Sequence, residues 1–314
     1  MTSYLVTGGA GFIGSNIVYE LVQRGKTVRV LDDFSTGRRT NLTDVLEDIE
    51  LMEGDLRDLQ TCRRAVTGID YVLHQGAIPS VQRSVNDPLI SHHTNATGTL
   101  NLLIAARDGG VKRLVFASSS SIYGDSPTLP KVETMPSAPK SPYAIAKLTA
   151  ESYCLAFTAL YGFETVCLRY FNVFGPRQDP RSDYAAVIPK FINAILQNRA
   201  PIIYGDGLQS RDFTYVANVV QANLLATTTS NGTGEVFNIA CSDRYSLLDL
   251  SAALNRIMGT HLIPTHQPAR LGDVRHSQAD IQKARAKLGF QVLVPFEEGL
   301  QQTVDWYRRQ LDQA

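Results

Sequence analysis

The sequence predicts an α/β fold, a doubly wound and mostly parallel sheet joined to a smaller mixed α/β lobe. Over the first half of the chain short apolar runs alternate with amphipathic stretches, and a glycine-rich turn separates the first apolar run from the first helix. After Asn172 the texture changes: Gly175-Pro176, Pro180, Pro189, Pro201 and Gly205-Asp206-Gly207 break the periodicity, which places the start of the second lobe there.

Taken in order, Tyr4–Thr7, Val28–Leu31, Ile49–Met52, Tyr71–His74, Leu114–Ala117 and Thr165–Tyr170 read as buried parallel strands. Helices are expected from Phe12, through Leu100–Ala106, and from Ser141-Pro142, where Ser is a capping residue and Pro suits the first helical position. No repeat or low-complexity linker intervenes, so the two lobes should pack closely around a cleft.

Composition narrows the function classes. The chain has 314 residues, 44% of them apolar, enough for a substantial core without cross-links. Thirty basic residues balance thirty acidic ones without long runs, which removes the footprint of a nucleic-acid binder and requires any anionic ligand to be held locally. Cys62, Cys154, Cys167 and Cys241 lack C-x-x-C spacing, so neither a zinc site nor a disulfide framework is expected. The amino terminus has no basic leader and no apolar stretch reaches membrane-spanning length, so the expected location is the cytoplasm.

Thr7-Gly-Gly-Ala-Gly-Phe-Ile-Gly14 follows the first strand and opens the first helix. Glycines at Gly8, Gly11 and Gly14 tighten the turn, bring backbone N–H groups against a pyrophosphate and let helix pack on sheet. Asp32 ends the second strand, where a carboxylate accepts the adenosine ribose hydroxyls and repels a 2′-phosphate, favouring NAD over NADP; Arg38 and Arg39 nearby are the residues able to bind a phosphate instead. Asp55, after the third strand, is a candidate adenine contact.

Tyr143-Ala-Ile-Ala-Lys147 places a phenol and an ammonium one turn apart on a helical face. A cation about 4 Å away at an effective dielectric near 20 is worth roughly 4 kcal/mol, or about three pKa units, which would turn a phenol of ordinary pKa near 10 into a usable base. The run Ser118-Ser-Ser-Ser121 follows the strand before this helix, at a strand carboxyl end where such sheets place chemistry, and one of its hydroxyls can bond the reacting oxygen.

Together the glycine loop, the serine run and Y-x-x-x-K resemble the extended short-chain dehydrogenase/reductase family. Further stretches resemble its UDP-hexose 4-epimerases, most like those acting on UDP-N-acetylglucosamine: His74-Gln-Gly-Ala-Ile-Pro-Ser-Val, Leu168-Arg-Tyr-Phe-Asn-Val-Phe-Gly-Pro-Arg-Gln, Tyr204-Gly-Asp-Gly with Ser210-Arg-Asp-Phe, and Arg270-Leu-Gly-Asp-Val-Arg-His-Ser-Gln-Ala-Asp. The resemblance implies a Rossmann-type NAD-binding domain over 1–171, with 211–238 returning to it, and a UDP-sugar lobe formed by 172–210 and 239–314.

It also implies roles. Tyr143 is the base, Lys147 its activator and nicotinamide-ribose ligand, and Ser119 positions the sugar O4. The NAD set extends to Phe12, Ile13, Asp33, Leu56, Gln75, Ala77, Asn95 and Tyr170. Asn172, Arg211 and Arg270 are the diphosphate ligands, two arginines suiting that group through charge-assisted bonds. Tyr204 lies near the uracil, and Ser80, Ala186, Val187, Asp273 and Ser277 complete the substrate set. The implied reaction is an isomerisation: Tyr143 takes the O4 proton while hydride moves from C4 to NAD, the 4-keto sugar swings, and hydride returns to its opposite face. No metal enters, and the family's helix-bundle homodimer would use the apolar faces near Leu100–Ile104 and Leu148–Leu155.

Among relatives on this scaffold, dehydratases and decarboxylases carry a carboxyl just after the catalytic hydroxyl, where this chain has Ser120 and Ser121, so simple C4 inversion is the economical reading. UDP-glucuronate 4-epimerases tend to have an arginine where Asp179 stands, and a carboxylate there disfavours a uronate. Ser277 replaces the bulky Tyr of epimerases limited to glucose and galactose, leaving room for an acetamido group, and Ser80 and Ala185-Ala186 agree with a roomier pocket. The alternatives are a UDP-glucuronate 4-epimerase and a non-catalytic NAD-sensing regulator, which usually lacks the Tyr/Lys pair.

Overall fold

A computed structural model describes residues 2–180, 186–269 and 274–312. In chain order the first part runs β1 (Ser3–Thr7), α1 (Phe12–Gln23), β2 (Thr27–Asp32), β3 (Ile49–Glu53), α2 (Leu59–Val66), β4 (Tyr71–His74), α3 (Val81–Asn86), α4 (Pro88–His92), α5 (Gly98–Asp108), β5 (Arg113–Ser119), α6 (Pro142–Tyr161) and β6 (Glu164–Tyr170). The remainder runs β7 (Val173–Phe174), α7 (Val187–Leu196), β8 (Ile202–Tyr204), β9 (Ser210–Arg211), β10 (Thr214–Tyr215), α8 (Val216–Thr228), β11 (Glu235–Ile239), β12 (Tyr245–Ser246), α9 (Leu247–Met258), β13 (Thr265–Gln267), α10 (Gln282–Leu288) and α11 (Phe296–Asp312).

Seven strands form one parallel sheet in the order β11-β6-β5-β4-β1-β2-β3, the doubly wound topology expected from the sequence. The order reverses between β1 and β4, so their carboxyl ends diverge and leave the crevice in which such sheets bind ligands. Pairing of Thr7 with His74 and of Ser119 with Tyr170 sets four site residues along that edge.

Strand alternation sorts the core into two layers. Tyr4, Val6, Val28, Val30, Leu73 and Val115 face one side, whereas Leu5, Leu31, Val72, Leu114 and Phe116 face the other. The first layer continues without a break into the residues after Asn172, where Phe213 stacks on Phe296 at 5.4 Å and Tyr245 on Phe296 at 4.1 Å. Aromatic packing therefore joins this part of the chain to the same core.

Helix α6, which carries the Tyr/Lys pair, has both ends specified locally. The Ser141 hydroxyl accepts from the Ala144 N–H at 3.2 Å, Pro142 occupies the first turn, and Gly162 closes the helix in the left-handed conformation at φ +66°. Beyond the segments the alternation pattern marks, residues 39–48 form 3-10 helix and residues 93–97 a π-helical turn leading into α5. No helix among the described residues is long and apolar enough to cross a membrane.

Candidate active site

The glycine loop meets the requirement of a dinucleotide turn. Gly8 has φ +65°, and a Cβ there would lie 2.7 Å from the Gly76 backbone; a Cβ on Gly14 would lie 2.1 Å from the Gly8 carbonyl oxygen. Gly11 precedes α1 as its capping residue, so the first-turn N–H groups open toward the crevice. Gly8, Gly11, Phe12, Ile13, Gly14, Asp32, Asp33, Asp55, Leu56, Gln75, Ala77, Ser80, Tyr143, Lys147 and Tyr170 all line one cavity of about 780 Å³. That cradle, with a carboxylate at one end and a phenol and an ammonium at the other, fits a dinucleotide.

Asp32 is buried and accepts from the N–H groups of Ala10 and Phe34, each at 2.9 Å. Burial pushes its carboxyl above the usual range, and those two bonds draw it back. Asp55 is gripped by Arg57, which holds it below the usual range.

Beneath the loop, His74 is locked in one tautomer. Thr99 donates its only hydroxyl proton to the Asn95 carbonyl at 2.7 Å, so His74 Nε2 donates to Thr99 at 2.9 Å and Nδ1 accepts from Thr7 at 2.7 Å. Thr7 Oγ1 accepts in turn from the Gly76 N–H at 3.2 Å. Burial, with a smaller push from the Lys147 charge, takes His74 down to about 3, so the ring is a neutral brace for the β1 and β4 ends. The Asn95 side chain bonds both backbone groups of Ile78, at 2.8 and 3.0 Å, and Ile78 rather than Asn95 lines the cavity.

At the other end Tyr143 and Lys147 stand one turn apart on α6, both on the crevice wall. The expected depression of the phenol is not what the structure gives. Desolvation pushes Tyr143 above its ordinary value and the nearby Ser119 hydroxyl draws it partly back, while the Lys147 ammonium donates to the Ala117 carbonyl at 2.8 Å. Burial lowers Lys147 itself to about 8, so it remains largely charged at neutral pH. The serine run divides its work: Ser119 Oγ accepts from the Ser121 N–H at 3.2 Å and hydroxyl at 2.9 Å, while the Ser118 hydroxyl is taken by Glu151 at 2.6 Å.

A second cavity of about 310 Å³ adjoins, lined by Asn172, Ala186, Val187, Tyr204 and Arg211 together with Phe191, Phe213, Lys190 and Gln209. Ala186 lines both cavities, so the two are adjacent there. An apolar floor with cations at its rim suits a base joined to phosphates. Arg211 is oriented by the carbonyls of Ser210 and Arg275, and Asn172 by that of Asp212. Ser277 is half-buried and lines neither cavity; its N–H donates to the Ser210 carbonyl at 3.0 Å, next to Arg211. Arg270, Asp273 and Ala185 lie outside the described residues.

Asp179 lines the dinucleotide crevice and is ion-paired with Arg38, while Arg39 is paired with Glu53, so both guanidiniums considered as phosphate ligands are occupied by carboxylates. Arg177 and Gln178 on the crevice wall end the Leu168–Gln178 stretch but were given no role from sequence, and Glu151 behind the wall was not singled out. Glu151, one turn beyond Lys147, could have been found by extending the helical face.

Comparison with known proteins places this arrangement. The UDP-glucose 4-epimerase of Mycolicibacterium smegmatis is 38% identical over 313 residues, 97% of this chain and 98% of its own. The UDP-N-acetylglucosamine 4-epimerase from Methanobrevibacter ruminantium M1, solved in complex with UDP-N-acetylmuramic acid, superposes with a TM-score of 0.94 at 40% identity, covering 98% of this chain and 99% of that one. A UDP-glucose 4-epimerase with UDP-glucose from Thermotoga maritima gives 0.94 at 39% identity, covering 99% and 100%. Residues 4–240 match the NAD dependent epimerase/dehydratase family, and the chain belongs to that family.

Proposed function

We propose that the protein is an NAD-dependent isomerase that inverts C4 of a UDP-hexose, with UDP-N-acetylglucosamine and its galacto epimer as its main pair. The observation that carries this is the Tyr143/Lys147 pair on the wall of a dinucleotide-sized crevice, next to a cavity suited to a base and phosphates that shares Ala186 with it. NAD in the crevice supplies the hydride acceptor and donor for C4. Tyr143 removes and later returns the O4 proton, Ser119 shares that oxygen and holds its orientation, and Lys147 keeps a positive charge at the Ala117 end of the strand. Asn172, Arg211 and Arg270 would hold the diphosphate, with Tyr204 beside the base. Gly8, Gly11, Gly14, Asp32 and Asp55 would hold the dinucleotide.

Inverting C4 requires the 4-keto sugar to turn over while its nucleotide end stays fixed. Separate anchoring in the second cavity and chemistry in the first supports that division. The acetamido preference rests on the small Ser277 and on the kinship with an N-acetylglucosamine epimerase as well as glucose epimerases. We read residues 1–171 with 211–238 as the NAD-binding domain and 172–210 with 239–314 as the sugar lobe.

A homodimer is part of this reading. Val81, Val85 and Leu89 on α3 and α4, with Ile145 and Tyr153 on α6, are exposed apolar side chains on helices that pack together. Leu100, Ile104 and Leu155 are instead half-buried against the second core layer. Four free cysteines suit a reducing compartment such as the cytoplasm.

The test is turnover. Purified protein given UDP-GlcNAc, UDP-Glc or UDP-GlcA should interconvert the first with its C4 epimer, the second more slowly and the third not at all, without accumulating NADH. Cofactor binding with no interconversion of any of the three would favour an NAD-sensing role instead.

A further inference from the structure

The Arg38–Asp179 ion pair joins two walls of the dinucleotide crevice that are 141 residues apart in the chain. One wall is the loop after β2. Arg38 donates its own N–H to the Ala10 carbonyl at 3.0 Å, and Ala10 donates to Asp32 at 2.9 Å, so this guanidinium is rooted beside the carboxylate that faces the adenosine ribose. The other wall is the segment after β7, and it is fixed from several sides. Asn16 on α1 donates to the Pro176 carbonyl at 3.1 Å and accepts from Arg177 at 2.7 Å, Arg177 lies 4.1 Å over the Tyr19 ring, and Tyr307 on α11 donates to the Gln178 carbonyl. Asp179 is thus presented by an anchored segment.

A 2′-phosphate on a ribose seated against Asp32 needs a cation beside it, and Arg38 is the crevice-lining cation placed there. We propose that Asp179 is a cofactor-selectivity residue: by holding the Arg38 guanidinium it withholds a cation placed for a 2′-phosphate and adds to the exclusion that Asp32 imposes. The second pair, Arg39–Glu53, is more exposed, with side chains 59% and 64% accessible, and Arg39 does not line the crevice, so it should contribute little.

This rests on the reading that the crevice holds NAD. Wild type, Asp179→Asn, Arg38→Ala, the Arg38→Ala/Asp179→Asn double variant and Glu53→Gln are equilibrated with equal NAD and NADP, freed of unbound nucleotide and denatured, and the released nucleotides are quantified. The expected result is an NADP:NAD ratio raised about tenfold in Asp179→Asn, equivalent to about 1.4 kcal/mol. The double variant should match Arg38→Ala, and Glu53→Gln should match wild type. An unmoved ratio in Asp179→Asn overturns the proposal, as does an equal rise in Glu53→Gln or in the double variant, which would mean a general charge effect. Loss of both nucleotides from folded Asp179→Asn overturns it too, since Asp179 would then retain cofactor rather than select it. Wild type retaining neither nucleotide would instead remove the NAD reading.

Discussion

Ser118 donates its hydroxyl to Glu151 at 2.6 Å, and this bond is one of two that tie consecutive residues of β5 to successive turns of α6. In the other, the Ala117 carbonyl accepts from Lys147 at 2.8 Å. Glu151 also receives Arg169 through two bonds of 3.0 and 2.6 Å, with the two side chains only 3% and 5% exposed. The catalytic spacing is therefore fastened from behind by a buried ion pair.

Removing one member of that pair should strand the other. Glu151→Leu is expected to lower the unfolding free energy by about 3–5 kcal/mol, because the Arg169 charge stays buried without a partner. Glu151→Leu with Arg169→Met should recover much of the loss. Urea unfolding of the three proteins decides it: a double variant no more stable than Glu151→Leu would show that packing, not the stranded charge, dominates.

Tyr143→Phe deletes only the proton-transfer oxygen. Turnover should fall about 10²- to 10⁴-fold while the UDP-sugar dissociation constant stays within about twofold. Lys147→Ala should reduce both rate and retained cofactor, because the ammonium reaches Ala117 at the crevice wall. Near-wild-type turnover by Tyr143→Phe would require a different base.

The sheet and the crevice were legible in the sequence because both are encoded locally. Strand alternation, the glycine turn, and the one-turn interval from Tyr143 to Lys147 each need only neighbouring residues to be read. What was not legible depends on pairing at a distance. Asp179 pairs with Arg38 across 141 positions of the chain, and the Asn95 side chain bonds Ile78 across 17, so neither pairing has a local signature. The direction of the Tyr143 shift was likewise missed, since helical spacing does not report how far the phenol is desolvated.

Asp212 gives a pH signature for the fold. Its buried carboxyl accepts from the N–H groups of Cys241, Ser242 and Ala279 at 2.9, 3.1 and 3.1 Å, yet burial outweighs these bonds and raises it to about 7. The folded chain thus keeps this proton up to about pH 7, whereas the unfolded chain releases it near the ordinary carboxyl value of about 3.9. Between those values the folded state binds more protons, so this group's contribution to stability falls as pH rises and levels off above 7. Asp212→Asn removes the titration but sets an amide N–H₂ against backbone donors, costing about 1–3 kcal/mol. Unfolding free energies at pH 5 and 7.5 should therefore differ more in wild type than in the variant, and equal differences would mean that Asp212 does not titrate in this range.

Ser277 tests the acetamido reading, and the argument is one of volume at a defined place. Its N–H is fixed to the Ser210 carbonyl, one residue before Arg211, which lines the second cavity. Although Ser277 does not itself line either cavity, a side chain as large as Tyr on this tether would crowd Arg211, read here as a diphosphate ligand, and leave less room for the bulkier C2 substituent of a sugar held by that diphosphate. Ser277→Tyr should suppress UDP-GlcNAc epimerisation and affect UDP-Glc, with only a hydroxyl at C2, far less. The ratio of the two kcat/KM values should move by more than about tenfold, or roughly 1.4 kcal/mol. Competitive turnover of both substrates by wild type and variant measures that ratio directly. An unchanged ratio would place the size filter elsewhere, and a wild type inactive on UDP-GlcNAc would leave the broader UDP-hexose assignment standing without its acetamido preference.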